Sequence, residues 1–159
     1  MKRMSGECFT VPSRLYRIYN DTIFECDNDT ISKPTIVVWI DSLSCMECTL
    51  LHFDHYHKLF SYCKDSIGNT VDVMMIFSPK HNAMETTIRN IAAYVKEYGV
   101  YVDCDNSLYT DNPYIADEEN MHSFLLDGNG RIQLIGYPLY TDAMWNLYKN
   151  FLCNAHQMK

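Results

Sequence analysis

Residues Thr35–His57 read TIVVWIDSLSCMECTLLHFDHYH. The first six are β-branched or apolar without alternation, the pattern of a strand buried on both faces in a sheet covered by helices. Leu50, Phe53, Tyr56, Phe60 and Cys63 then follow at steps of three and four, which predicts a helix. Two cysteines, Cys45 and Cys48, stand at the junction. Ser44 and Glu47 around them match the S-x-x-E capping box, which predicts Ser44 as the N-cap and Cys45 as the first helical residue. Cys48 then lies one turn further on the same face.

Working outward, VDVMMIF (71–77) is a second buried strand, so residues 35–77 read as a βαβ unit with parallel strands and a right-handed crossover. Ser78-Pro79 ends that strand. Ile88, Ile91, Ala92 and Val95 give an amphipathic helix over Met84–Glu97, with Gly99 placed to stop it. VYVDC (100–104) is a short strand, and Asp105–Asn120 is predicted as a long loop of the kind that carries function. HSFLLD and RIQLIG flank Gly128-Asn129-Gly130, a hairpin signal that makes these strands antiparallel. Asp142–Cys153 is a closing helix. The predicted class is therefore α/β, a mixed sheet with helices on both faces. Residues 1–34 are polar and turn-rich, with CFTV and TIFEC as the only strand-like pieces; they are expected to be an irregular extension packed on a domain of residues 35–159.

A chain of 159 residues can bury one sizeable core without disulfide staples. The net charge of -7 opposes a polyanionic partner, which excludes nucleic acid and acidic membrane. The longest apolar run is far below the ~20 residues of a membrane span. MKRMSGECFTVPSR lacks the apolar stretch of a signal peptide, which implies a cytoplasmic protein as written, or a cell-envelope (periplasmic) one whose export signal has been removed. Seven cysteines form an odd set without repeated spacing, which argues against a disulfide framework. Cys63, Cys104 and Cys153 are expected to be small buried hydrophobes. Phosphate loops, nucleophile elbows and zinc-protease motifs are absent from the sequence. A hairpin turn accounts for Asp127-Gly128-Asn129-Gly130 without calcium.

Spacing alone says little, because chance would give roughly 0.3 C-x-x-C pairs in such a composition. Position says more. Unpaired amides at a helix N-terminus favour negative charge, so the Cys45 thiolate should form readily, and a thiolate is what attacks a disulfide. Cys48, expected to be less exposed, is placed to resolve the mixed disulfide. Glu47 opposes the thiolate by like-charge repulsion unless its carboxylate is held at the cap.

The strand TIVVWID, SCMEC opening a helix, and the hairpin HSFLLDGNGRIQLIG with a closing helix together resemble the thioredoxin superfamily. They are most similar to TlpA-type and redoxin-like thiol-disulfide oxidoreductases, over roughly Thr35–Leu152. The resemblance implies a thioredoxin-like α/β/α sandwich, Cys45 as nucleophile and Cys48 as resolving thiol, with no cofactor. It implies a protein disulfide as substrate and a reducing or oxidising partner protein. The sequence departs from the family in three places. His122 stands where a cis-proline is usual, Ser44 where an aromatic residue often precedes the first cysteine, and the proline of the active-site helix is missing. Beside Cys45, His122 could stabilise the thiolate or share a metal with both sulfurs, or be a hydrogen-bonded strand residue only.

Three rival readings exist. Cys45, Cys48, His52 and His55 form one helical stripe with His57 nearby, but such a stripe spans about 15 Å and its members cannot all converge on one ion. At most two or three of them could share a metal, which keeps a Cys/His metal site as an alternative; the expectation is that His52, His55 and His57 are a solvated or partly packed helix face, with no metal. A peroxidase of the peroxiredoxin type would need proline and threonine where Val38 and Ser42 stand. A non-catalytic binding module would use the loop holding Tyr109, Pro113 and Tyr114.

Overall fold

In the computed structural model, which describes residues 5–27, 30–68, 70–115 and 122–157, strand β3 (Thr35–Ile40) is buried at every position. It lies inside a seven-stranded sheet of order β2-β1-β5-β4-β3-β6-β7. The strands are β1 (Arg14–Tyr19), β2 (Thr22–Asp27), β4 (Asp72–Phe77), β5 (Val100–Asp103), β6 (Ser123–Leu126) and β7 (Ile132–Ile135). β3 pairs in parallel with β4, and β4 with β5, as the βαβ reading required. On the other side β3 runs antiparallel to β6, and β6 to β7, around the Asp127–Arg131 turn in which Gly130 takes φ +77°. Only glycine adopts that conformation without strain.

Alternate residues of β3 serve two cores. Ile36, Val38 and Ile40 face a cluster with Leu59, Phe60, Ile91, Tyr148 and Leu152. These come from helices α2 (Asp54–Ser61), α3 (Met84–Tyr94) and α5 (Asp142–Gln157), with α1 (Met46–Leu51) adding Leu50. Val37 and Trp39 face a thinner layer of Phe9, Ile115 and Leu108, the last from α4 (Ser107–Asp111). Each fully buried aliphatic chain contributes about 1.5–3 kcal/mol, so both layers anchor the strand that leads to Cys45. The sheet is mixed and the sandwich uneven, with the large helices on one face.

Several expectations are corrected. Residues 14–27 are not irregular: β1 and β2 form a hairpin that joins the sheet through β5. Its two-residue turn, Asn20-Asp21, has φ of 46° and 65°, the left-handed pair that such hairpins use. CFTV makes only an isolated bridge, Cys8 to Arg131. The helix after β3 is two helices, because the chain turns at His52 (φ -110°, ψ 28°) and Phe53 packs toward Tyr56, Phe60 and Tyr98. A π turn, Tyr62–Ser66, follows α2.

Gly99 does not stop α3. That helix ends at Tyr94, where Val95 turns extended to bury its side chain. Gly99 instead admits the Arg17 guanidinium, whose Nη2 would lie 2.5 Å from a Cβ at this position. The expected loop over residues 105–120 contains α4, and its part beyond residue 115 lies outside the described residues. Cys63 is buried as expected, but Cys104 is half-buried and Cys153 exposed.

Candidate functional site

β3 stops at Ile40 because Asp41 diverts the backbone. Its Oδ1 accepts from the amides of Leu43 (3.1 Å) and Ser44 (2.9 Å) and from the Ser44 hydroxyl (2.7 Å). This side chain-to-backbone turn competes with further strand and sets the entry of α1. Ser44 is not the N-cap. Cys45 is, and its Sγ accepts the Cys48 amide at 3.2 Å. The helix therefore begins one residue later than the capping-box reading placed it. Glu47 falls at the second helical position, exposed and out of register for a box with Ser44.

Cys45 and Cys48 are joined in a disulfide with Cα atoms 5.2 Å apart. Both are exposed, so Cys48 is not the sheltered partner expected from its place one turn along. Their sulfurs are thereby occupied, and the four-ligand stripe does not exist. The turn at His52 also breaks it geometrically.

His122 lies just before β6, beside the end of β3. Its carbonyl accepts the Trp39 amide at 2.7 Å, its ring packs on the Trp39 indole with centroids 4.6 Å apart, and its Nδ1 stands 3.6 Å from Asp41 Oδ2. One carboxylate thus touches both the turn that carries Cys45 and the His122 ring. The described residues include no cis peptide. Asp41 was missed in the sequence, although an aspartate three residues before a serine and directly after a strand is a turn-forming signal.

Behind this turn runs a buried polar chain that the sequence did not reveal. The Trp39 indole N–H donates to Ser78 Oγ (2.9 Å), and the Ser78 hydroxyl donates to Asp103 Oδ2 (3.2 Å). Asp103 also accepts the Ser107 and Leu108 amides at 3.1 and 2.9 Å, which fixes the start of α4. Burial pushes the Asp103 carboxyl above the ordinary carboxylate range, outweighing these donors. The three residues sit at or just past the carboxyl ends of β3, β4 and β5, the end at which open α/β sheets place their sites. A groove of about 400 Å³ opens there, lined by Trp39, Asp41, Leu43, Ser78, Tyr109 and His122.

The remaining histidines separate. His57 turns to Tyr98, with Nδ1 2.5 Å from its hydroxyl, and its Nε2 lies 3.2 Å from Ser61 Oγ. His52 and His55 stack with ring centroids 5.5 Å apart, next to Asp54.

No family model and no curated protein matches the sequence. Solved structures do match in shape. An Aquifex aeolicus VF5 protein assigned to electron transfer superposes with a TM-score of 0.64 at 16% identity, covering 95% of this chain and 97% of its own. A Chlorobium tepidum protein assigned as thiol:disulfide interchange protein DsbE gives 0.59 at 14% identity, over 95% and 97%. The thioredoxin domain of a thiol-disulfide oxidoreductase from Bacteroides vulgatus gives 0.56 at 14%, over 92% and 98%. The chain has the thioredoxin fold, with a C-x-x-C disulfide at the start of its first helix. Among the described residues no helix is long and apolar enough to cross a membrane.

Proposed function

We propose that the protein is a thiol-disulfide oxidoreductase acting on protein disulfides. The observation that carries this reading is the exposed Cys45–Cys48 disulfide at the start of α1, with the Cys48 amide aimed at Cys45 Sγ. In the reduced protein that amide would donate to a Cys45 thiolate, which lowers the cost of forming it. The thiolate attacks one sulfur of a substrate disulfide and releases the other as a thiolate. Cys48, deprotonated, then attacks Cys45 Sγ and frees the second substrate thiol, so two electrons pass to the substrate and the Cys45–Cys48 disulfide forms. A partner protein with a dithiol returns the pair to its reduced state; run in reverse, the same steps oxidise a substrate. Direction follows the potential of the pair, for which 30 mV is about 1.4 kcal/mol.

Ser44 and His122 act as positioning residues through Asp41, and Glu47 acts through its charge. The resemblance of the chain to thiol-disulfide proteins and the naming of its structural neighbours support this reading. Insulin reduction driven by dithiothreitol tests it: wild-type protein should accelerate precipitation, Cys45→Ser should not, and Cys48→Ser should trap a mixed disulfide with substrate. A wild-type rate equal to that of Cys45→Ser would leave a binding module as the correct description.

A further inference from the structure

We propose that His52, Asp54 and His55 form a binding site for one zinc-class divalent cation, separate from the disulfide. Their candidate ligand atoms, two imidazole nitrogens and a carboxylate oxygen, all lie within 4.8 Å of one another. Donors at 2.0–2.2 Å from a tetrahedral zinc stand about 3.4 Å apart, so closure by at most about 1.4 Å suffices. All three side chains are exposed, so rotation about their own bonds can supply it.

The backbone places them together. On an unbroken helix Asp54 would point about 200° away from His52, on the opposite face. The turn at His52, between α1 and α2, removes that offset and brings Asp54 to the side of the two histidines. His57, the other histidine of the stretch, is held by Tyr98 and Ser61 and is left out. Two imidazoles and one carboxylate suit zinc, and three protein ligands leave a fourth position for water. A groove lined by His52, Asp54, His57 and Glu97 opens beside two of the three, His52 and Asp54. The net charge of -7 adds a favourable field for a cation.

The test is calorimetric titration of the untagged oxidised chain with zinc chloride, after alkylation of accessible thiols so that only the disulfide form and the histidines remain. One zinc per chain is expected. Loss of even an outer-shell partner costs roughly 10–100-fold in metal affinity, so His52→Ala and His55→Gln should each weaken binding at least about tenfold. Asp54→Asn should weaken it less, and His57→Ala should leave it unchanged. Histidine ring NMR signals on wild-type protein give a readout independent of any variant: those of His52 and His55 should shift with zinc while those of His57 stay. Absence of saturable binding, equal binding by the His52→Ala/His55→Gln double variant, or unmoved ring signals would overturn the proposal. The cluster would then be a ring stack beside a helix-start acid.

Discussion

Asp41 Oδ2 lies 3.6 Å from His122 Nδ1 while Oδ1 of the same carboxylate holds the Leu43 and Ser44 amides. Asp41 is therefore the joint between the loop before Cys45 and the residue that leads into β6, His122. Asp41→Ala removes three hydrogen bonds and the facing charge at a site that is about four-fifths buried, with the Asp41 side chain 19% exposed. Each such bond contributes about 1 kcal/mol net, and local relaxation recovers part, so a loss of about 1–2 kcal/mol is expected. Asp41→Asn keeps one carbonyl acceptor and should lose less. Urea unfolding of the oxidised proteins at neutral pH checks the order; an Asp41→Ala midpoint equal to wild type would mean that the turn holds without this side chain.

Ser78 carries a sharper expectation, because it is both acceptor and donor in a dry place. Ser78→Ala leaves the Trp39 indole N–H without its acceptor and takes one donor from the Asp103 carboxylate. An orphaned buried group costs about 1–3 kcal/mol, and bonds to charged groups sit at the upper end, so a loss of about 2–3 kcal/mol is expected. Ser78→Thr keeps the hydroxyl and separates the hydrogen-bond effect from a general perturbation of the strand end. Comparable destabilisation by both variants would assign the effect to packing instead.

The same two strand ends show what a sequence can and cannot say. β3, β4 and the β6–β7 hairpin were legible because continuous apolar runs and a Gly-Asn-Gly turn are local signals. The C-x-x-C position was legible to within one residue; the slip came from Ser44, whose hydroxyl was read as accepting the Glu47 amide but instead donates to the Asp41 carboxylate. The β1–β2 hairpin was half read: TIFEC looks strand-like, but RLYRIY does not, because its two buried residues, Leu15 and Ile18, stand three apart rather than two, with Arg17 between them and Arg14 beside them. The Trp39–Ser78–Asp103 chain could not be read at all, since 39 and 25 residues separate successive partners and only the sheet order brings them together. The break at His52 was equally hidden: Phe53 keeps a helical step in sequence, yet its packing on Phe60 and Tyr98 comes from tertiary contact.

Asp103 gives the protein a defined pH signature. Its carboxyl is raised by burial from the ordinary 3.8, so the folded chain holds this proton to higher pH than the unfolded chain does. More protons bound in the folded state means that the Asp103 contribution to stability falls as pH rises from about 3.8 through the folded value, and is constant above it. Asp103→Asn cannot titrate, so the stability of wild type minus that of the variant should decline across the acid window and level off toward neutrality. Chemical unfolding of both proteins from about pH 4 to pH 8 measures this difference. A difference that rises with pH would mean that the Ser78, Ser107 and Leu108 donors outweigh burial.

Four of the five cysteines outside the disulfide, Cys8, Cys63, Cys104 and Cys153, should divide by environment. Cys63 is 3% exposed, and burial, aided by the nearby Asp72 charge, pushes its thiol up to about 12. At pH 8 only about one such thiol in ten thousand is ionised, and the thiolate is the reactive form. Cys8 and Cys153 are exposed, and Cys104 is half-buried with its thiol also raised by burial. In native oxidised protein treated with iodoacetamide, mass spectrometry should find Cys8 and Cys153 modified first, Cys104 more slowly, and Cys63 only after denaturant is added. Cys45 and Cys48 should stay unmodified until a reductant opens their bond. Early labelling of Cys63 would mean that the core between α2 and the sheet opens far more readily than its packing implies, and the stability expected of that layer would have to be lowered accordingly.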